Sequence, residues 1–227
     1  LPTAPGDPAV EPFAYDDTPY KARVYFGVGK ADPSQELVFG PNIADWPEQV
    51  ALPDNLLLTV CSAIYDPVTT TDELIPSGET SSYRSNPIKL SEFALSRKDP
   101  QYVPRAKEVL AVEKLRRTNP DAPEVMEALM GHDPANTGLG SLVMALKPGD
   151  GSAREQAASC QRVLGGGANI AYSYATKRYR SNCINWGILP FTVDQLETFP
   201  FDPDDTLFVP NIREAVETGA QTVTGHM

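Results

Sequence analysis

The sequence predicts an α/β fold, and three observations point to it. The apolar run NLLLTVCSAIY at 55–65 predicts a buried strand, because it is continuous and not alternating. Residues 142–146 form a second strand candidate, followed by a glycine turn, a helix-like run at 153–164 and a third strand candidate at 168–174. A strand, a glycine turn, a helix and a strand in that order are typical of a sheet covered by helices.

The remaining elements follow from periodicity and from helix and turn signals. Short strands are predicted at residues 21–26, at 36–39 and within the acidic, aromatic stretch 190–210. Helices are predicted at 104–118, with Pro104 in the first turn, at 122–130 and at 177–186, with Gly187 as the stop. The segment 67–87 is rich in Gly, Ser and Thr and is predicted to be a loop that carries function.

The segment GDGSAREQAA at 149–158 carries the strongest functional signal. Backbone N–H groups at a helix start carry partial positive charge and favour anions, and Ser152 is predicted to cap this helix. Arg154 in the first turn has the wrong sign for the helix dipole, so a carboxylate or phosphate is the expected reason for it. The segment follows a predicted strand, at the carboxyl end where open α/β sheets bind ligands.

Further stretches follow in a fixed order: LGG at 164–166, SYATKRYRSN at 173–182 and GILPF at 187–191. Together with GSAREQAA at 151–158 they resemble the swivelling C-terminal domain of the aconitase family. Upstream, TTDEL at 70–74 resembles the family's Thr-Thr-Asp-His-Ile, and Arg84 lies at the spacing where the family places a substrate-binding arginine. The resemblance covers roughly residues 38 to 210.

The resemblance implies a swivelling β/β/α three-layer domain at 38–214. Residues 1–37 are then a proline-rich linker or arm with a short strand, and 215–227 a loose tail. Aconitase-like enzymes remove and re-add water on a hydroxy di- or tricarboxylic acid. By the same resemblance, Ser152 is the catalytic base, and Arg84 and Arg154 hold substrate carboxylates. Thr71 is a further substrate-binding residue, and Asp72 beside it is catalytic because it orients a histidine or a proton path from the rest of the enzyme.

Two positions in the expected site depart from the family pattern. Ala153 stands in the substrate site where the family has a second serine, and Glu73 stands where it has a histidine. These changes remove one hydroxyl and one imidazole from the expected substrate contacts. They indicate a divergent hydratase with a different substrate.

Composition limits the partners and the compartment. The net charge of −11, from 30 acidic and 19 basic residues, argues against nucleic acid and anionic membranes. No apolar run approaches the ~20 residues of a membrane-spanning helix, and the start of the chain does not resemble a signal peptide. Three cysteines without pairing-like spacing indicate structural thiols in a reducing, cytoplasmic compartment.

The resemblance also implies that the catalytic iron lies elsewhere. We expect no metal site in this chain and a 4Fe-4S cluster in partner domains, in the same parent chain or a separate subunit. The isolated chain is then inactive, and the whole enzyme is a hydro-lyase. The alternatives are a free small subunit of an isopropylmalate or homoaconitate isomerase, and a non-catalytic aconitase-like binding module.

Overall fold

The computed structural model describes residues 14–23, 29–152, 154–194 and 201–227. The chain divides into two compact units, Leu1–Val38 and Phe39–Met227. In the first unit, helix α1 (Thr18–Arg23) begins where a strand was predicted, and an ion pair from Lys21 to Asp17 spans one helical turn. The strand prediction is wrong there, and its residues 24–26 lie outside the described part.

The second unit is built on a mixed sheet. Within the described residues, its strands are β1 (Asn55–Ile64), β3 (Thr137–Ala145), β5 (Gly166–Ala171), β6 (Leu189–Thr192) and β7 (Thr206–Val209). Their spatial order is β6-β5-β3-β1-β7, with β7 antiparallel and the others parallel. Two short strands, β2 (Thr69–Thr70) and β4 (Pro148–Asp150), pair separately and in parallel.

The helices of this unit are α2 (Thr71–Leu74), α3 (Pro87–Ser91), α4 (Tyr102–Thr118), α5 (Pro123–Ala128), α6 (Gln156–Val163), α7 (Lys177–Asn185) and α8 (Ile212–Thr218), with a 3-10 turn at Ser81–Tyr83. One face of β1 and β3 packs against helices α2, α3, α4, α6 and α7, through residues such as Cys61 and Val143. The other face, through Val60 and Leu142, packs with Phe201 and α8. Burial of both faces explains why the two strands are continuous apolar runs.

The α/β class is confirmed, as are the predicted strands of β1 and β3 and the helices α4 and α7. The positive φ of +70° at Gly187 ends α7 as expected. No strand forms at 36–39. The predicted loop at 67–87 contains β2, α2 and the 3-10 turn, because Thr70 and Glu73 cap each other across four residues.

Two further expectations are corrected. Helix α6 begins at Gln156 with Glu155 in the N-cap position, so Ser152 is not the cap of this helix. The Ser152 carbonyl instead accepts a hydrogen bond from the Arg154 N–H at 2.8 Å, which forms a tight turn before the helix. The amphipathic pattern of residues 104–118 places the charged side chains of α4 in solvent, yet Glu113 is buried.

The end of the chain returns to the sheet. Helix α8 crosses the predicted boundary at residue 215, and His226 forms an isolated antiparallel bridge with Phe208 of β7. Two backbone hydrogen bonds of 2.8 Å join these residues. The carboxyl-terminal residues therefore cover the edge strand.

Candidate functional site

Pairing of β2 with β4 brings the TTDEL segment at 70–74 close to the GSAREQAA segment at 151–158. Thr69 lies opposite Pro148, and Thr70 lies opposite Asp150. Because the strands are parallel, the residues that follow both of them emerge at the same end. Thr71 and Asp72 therefore leave β2 beside the turn that leaves β4, although about 80 residues separate them in sequence.

The turn after β4 depends on two glycines with positive φ. Gly149 has φ +91° and Gly151 has φ +90°, a region that other residues rarely adopt. A Cβ on Gly149 would lie 2.4 Å from the Cβ of buried Tyr179, so α7 packs directly against the turn. A Cβ on Gly151 would have the Thr71 hydroxyl as its nearest neighbour, at 3.8 Å. Packing thus fixes the path of the chain into Ser152.

Ser152, Arg154 and Arg84 line one cavity of about 240 Å³. The resemblance assigned Ser152 and Arg84 to the same site, and the structure brings them together in this cavity. The Ser152 side chain is exposed and forms no hydrogen bond with the described residues. Of the other predicted site residues, Thr71 and Asp72 do not line this cavity, and Ala153 lies outside the described residues.

Three polar residues of the cavity were not singled out from the sequence. They are Ser77, Thr80 and Gln156. Gln156 is the first residue of α6 and directly follows the GDGSARE segment. Its position two residues after Arg154 was the sequence feature that could have identified it as a cavity residue. Thr80 is buried and donates to the Pro76 carbonyl at 2.6 Å, which closes the loop on this side of the cavity.

Asp72 contacts two arginines from different parts of the chain. Its Oδ1 accepts a hydrogen bond from Arg154 Nη1, and its Oδ2 accepts one from Arg97 Nη1 at 3.2 Å. The Ser77 N–H and hydroxyl also donate to Oδ1, each at 3.3 Å. The Arg154 contact is the main cause that lowers the pKa of Asp72, against a smaller effect of burial. The group is therefore held as a carboxylate that fixes the Arg154 guanidinium.

The two cavity arginines differ in their partners. Arg154 is paired with Asp72 and also donates to the Ile75 carbonyl at 3.0 Å. Arg84 follows the 3-10 turn, is exposed, and has no ion pair or side-chain hydrogen bond among the described residues. In a chain of net charge −11, Arg84 thus offers an uncompensated cation to an anionic ligand in this cavity.

Glu73, which stands where the family pattern has a histidine, accepts hydrogen bonds from Thr70 and Lys98. Its Oε2 accepts from the Thr70 N–H at 2.7 Å and from the Thr70 hydroxyl at 2.9 Å, and its Oε1 accepts from Lys98 Nζ at 3.3 Å. The Thr70 N–H is the main cause that lowers the pKa of Glu73. Glu73 also does not line the cavity, so it acts here as a helix cap.

The part of the chain that the structure describes offers no ligand set for iron. No group of three or more His, Cys, Asp or Glu side chains is placed to hold a metal there. All three cysteines, Cys61, Cys160 and Cys183, are free and buried. Burial is the main cause that raises their pKa values, to about 12 for Cys61 and about 11 for Cys183. An iron–sulfur cluster needs several thiolates in one place, and the three buried cysteines are not part of such a group in the described residues.

None of the helices within the described ranges has the length and apolar character needed to cross a bilayer. The cytoplasmic location stays a prediction.

Comparison with known proteins gives one family and a distant structural similarity. The structure of 3-isopropylmalate dehydratase (leuD) from Methanocaldococcus jannaschii is similar with a TM-score of 0.45 and 19% sequence identity, over 76% of this chain and 81% of that chain. No significant match was found among curated proteins. Residues 106–196, which include Ser152 and Arg154, match the aconitase C-terminal domain. The resemblance inferred from the sequence is thereby confirmed over these residues.

Proposed function

We propose that this chain supplies the base and part of the carboxylate-binding site of an aconitase-like hydro-lyase. The observation that carries the proposal is the common cavity of Ser152, Arg84 and Arg154. A hydroxyl and two guanidinium groups in the lining of one cavity suit a substrate with at least two carboxylates. The cluster-bearing domains come from the same parent chain or from a separate subunit, because the described residues offer no ligands for iron.

In the proposed reaction, a proton leaves a carbon next to a substrate carboxylate. Negative charge then builds on that carboxylate, and Arg84 and Arg154 stabilise it most where it is greatest, in the transition state. The Ser152 oxygen takes the proton as an alkoxide and becomes a neutral hydroxyl. The substrate hydroxyl group leaves the adjacent carbon as water, after protonation by a group that the cluster-bearing domains would supply. A serine oxyanion is unfavourable in water, so the role depends on the positive field of the guanidinium groups.

Asp72 has a positioning role in this proposal. Its carboxylate holds Arg154 in place and leaves Arg84 as the cation without a carboxylate partner. A substrate carboxylate would be the missing counterion of Arg84. A preorganised arginine loses little side-chain entropy on binding, which favours a paired Arg154 over a mobile one.

The test is the turnover of the enzyme assembled with its cluster-bearing domains, measured as hydration of unsaturated di- and tricarboxylates. Arg84→Gln should lower kcat/KM by about tenfold or more, because a charge-assisted hydrogen bond is lost. Arg178→Gln is the matched control: Arg178 is exposed on α7, lies outside the cavity and should leave kcat/KM unchanged. If the two variants had equal kcat/KM values, Arg84 would not be part of the substrate-binding site.

A further inference from the structure

A second, larger cavity lies at the opposite end of the parallel strands from Ser152. It has a volume of about 390 Å³, in the usual range of small-molecule sites. Its lining includes Leu56 near the start of β1, Leu139 near the start of β3 and Leu189 at the start of β6. These are the amino ends of parallel strands, whereas Ser152 follows their carboxyl ends. The two cavities are therefore separate.

One wall of this cavity is the segment 47–53, which has no regular secondary structure. Arg162 at the end of α6 holds it: its guanidinium donates to Gln49 Oε1 at 3.0 Å and to the Val50 carbonyl at 2.9 Å. Pro53 packs on Gly138, where a Cβ would lie only 2.7 Å from the proline ring. Because it is held at Gln49, Val50 and Pro53, this wall belongs to a preformed cavity.

The interior is mainly apolar and the mouth is open. Leucine, isoleucine and valine side chains are the largest group among the lining residues. Ile184 and Val216 at the mouth are 53% and 51% exposed, although both are apolar. Exposed apolar side chains beside a cavity are a feature of ligand and interaction sites.

Positive charge surrounds this apolar interior. Arg162 donates only to neutral oxygens in the described part of the chain, the third being the Gly166 carbonyl at 3.2 Å. The exposed Lys114 has no ion pair there, whereas Arg117 lies 3.9 Å from Glu48 and 3.8 Å from Glu113. Glu113 also lines the cavity, but Arg116 neutralises it through bonds of 2.7 and 2.8 Å. In an acidic chain this is a local excess of cations.

We propose that the cavity binds a small amphipathic carboxylate, with its apolar body inside and its carboxylate at Lys114 and Arg162. Apolar walls take the body of such a molecule, and the uncompensated cations take its charge. The proposal does not rest on the hydro-lyase function, since it uses none of the residues of the Ser152 cavity.

The test uses the full chain and NMR of its methyl groups, titrated with octanoate and, separately, with octan-1-ol. Octanoate should shift the methyl signals of Ile184, Val216 and Leu110, and octan-1-ol should bind about fivefold to tenfold more weakly because it lacks the charge. Lys114→Gln should weaken octanoate binding and leave octan-1-ol binding unchanged.

Lys147→Gln is the matched control. Lys147 is exposed and follows the carboxyl end of β3, which is about 20 Å from Leu139 at ~3.3 Å per strand residue, so the variant should bind octanoate normally. Equal affinity for octanoate and octan-1-ol, or no shifts at the cavity, would overturn the proposal. The same follows if the assembled enzyme protects these methyl groups and octanoate no longer shifts them, since a protein partner would then be the occupant.

Discussion

The contact between Gly149 and Tyr179 makes a strong prediction for the variant Gly149→Ala. The new Cβ would lie 2.4 Å from both Cβ and Cδ1 of Tyr179, closer than carbon atoms approach in proteins. Tyr179 cannot move easily, because it is buried and its hydroxyl accepts hydrogen bonds from Asn169 at 3.0 Å and Gln161 at 3.2 Å. The variant must therefore displace either α7 or the turn that leads to Ser152.

The size of the effect follows from two additive costs. Placing alanine at a positive φ costs about 1–2 kcal/mol, and overpacking against a fixed side chain costs about 1–3 kcal/mol more. Gly131→Ala separates the two: Gly131 has φ +89°, almost the same as the +91° of Gly149, but nothing lies within 4 Å of its Cβ position. It should show the backbone cost alone.

The measurement is urea unfolding followed by tryptophan fluorescence. Trp46 and Trp186 are the two tryptophans of the chain, and their rings lie 4.5 Å apart, so their emission reports this unit. The additional cost at Gly149 should lower the urea midpoint by about 0.5–1.5 M relative to Gly131→Ala, for an m-value of about 2 kcal/mol/M. Equal midpoints for the two variants would refute the Gly149–Tyr179 contact.

Three further predictions concern buried and charged groups. Glu113→Gln should lower the free energy of unfolding by about 2–3 kcal/mol in the same assay, because buried Glu113 pairs with Arg116 and accepts the Leu139 N–H at 2.9 Å; a loss under 0.5 kcal/mol would contradict this. The pKa of Asp72 is lowered on folding, so its contribution to stability is present above about pH 4 and is lost as the pH falls further. The stability difference between the parent chain and Asp72→Asn should therefore shrink below pH 4, and a difference that grows there would be evidence against the ion pair. Iodoacetamide at pH 8 should label no cysteine of the native chain and all of them in urea, read by mass spectrometry, since all are buried with raised pKa values; rapid native labelling at any of them would contradict the burial of Cys61, Cys160 and Cys183.

The sequence was most informative where burial decides the pattern. Strands β1 and β3 are buried on both faces, so their continuous apolar runs could be recognised in the sequence alone. Helix α2 was not predicted, because four residues are too few for periodicity; the Thr70-x-x-Glu73 capping box was its available signal. The start of α6 was placed too early, since a serine after glycine resembles an N-cap whether or not the helix begins there.

The sequence predicted which residues form the candidate site, but it did not predict the hydrogen bonds that connect them. Ser152, Arg154 and Arg84 came from motifs and spacing, and all three line the same cavity. The hydrogen bonds of Asp72 to Arg154 and Arg97 depend on a two-residue pairing between β2 and β4, which leaves no local trace in the sequence. Long-range contacts of this kind require the folded chain.

The most direct test of the account is the turnover of the assembled enzyme carrying Ser152→Ala, with Ser173→Ala as control. Ser173 is exposed and lies outside the cavity, so its variant should keep full activity on unsaturated di- or tricarboxylates. Loss of the proposed base should lower kcat by about 10²–10⁴-fold while substrate still binds. Undiminished kcat in Ser152→Ala would contradict the claim that this chain supplies the base.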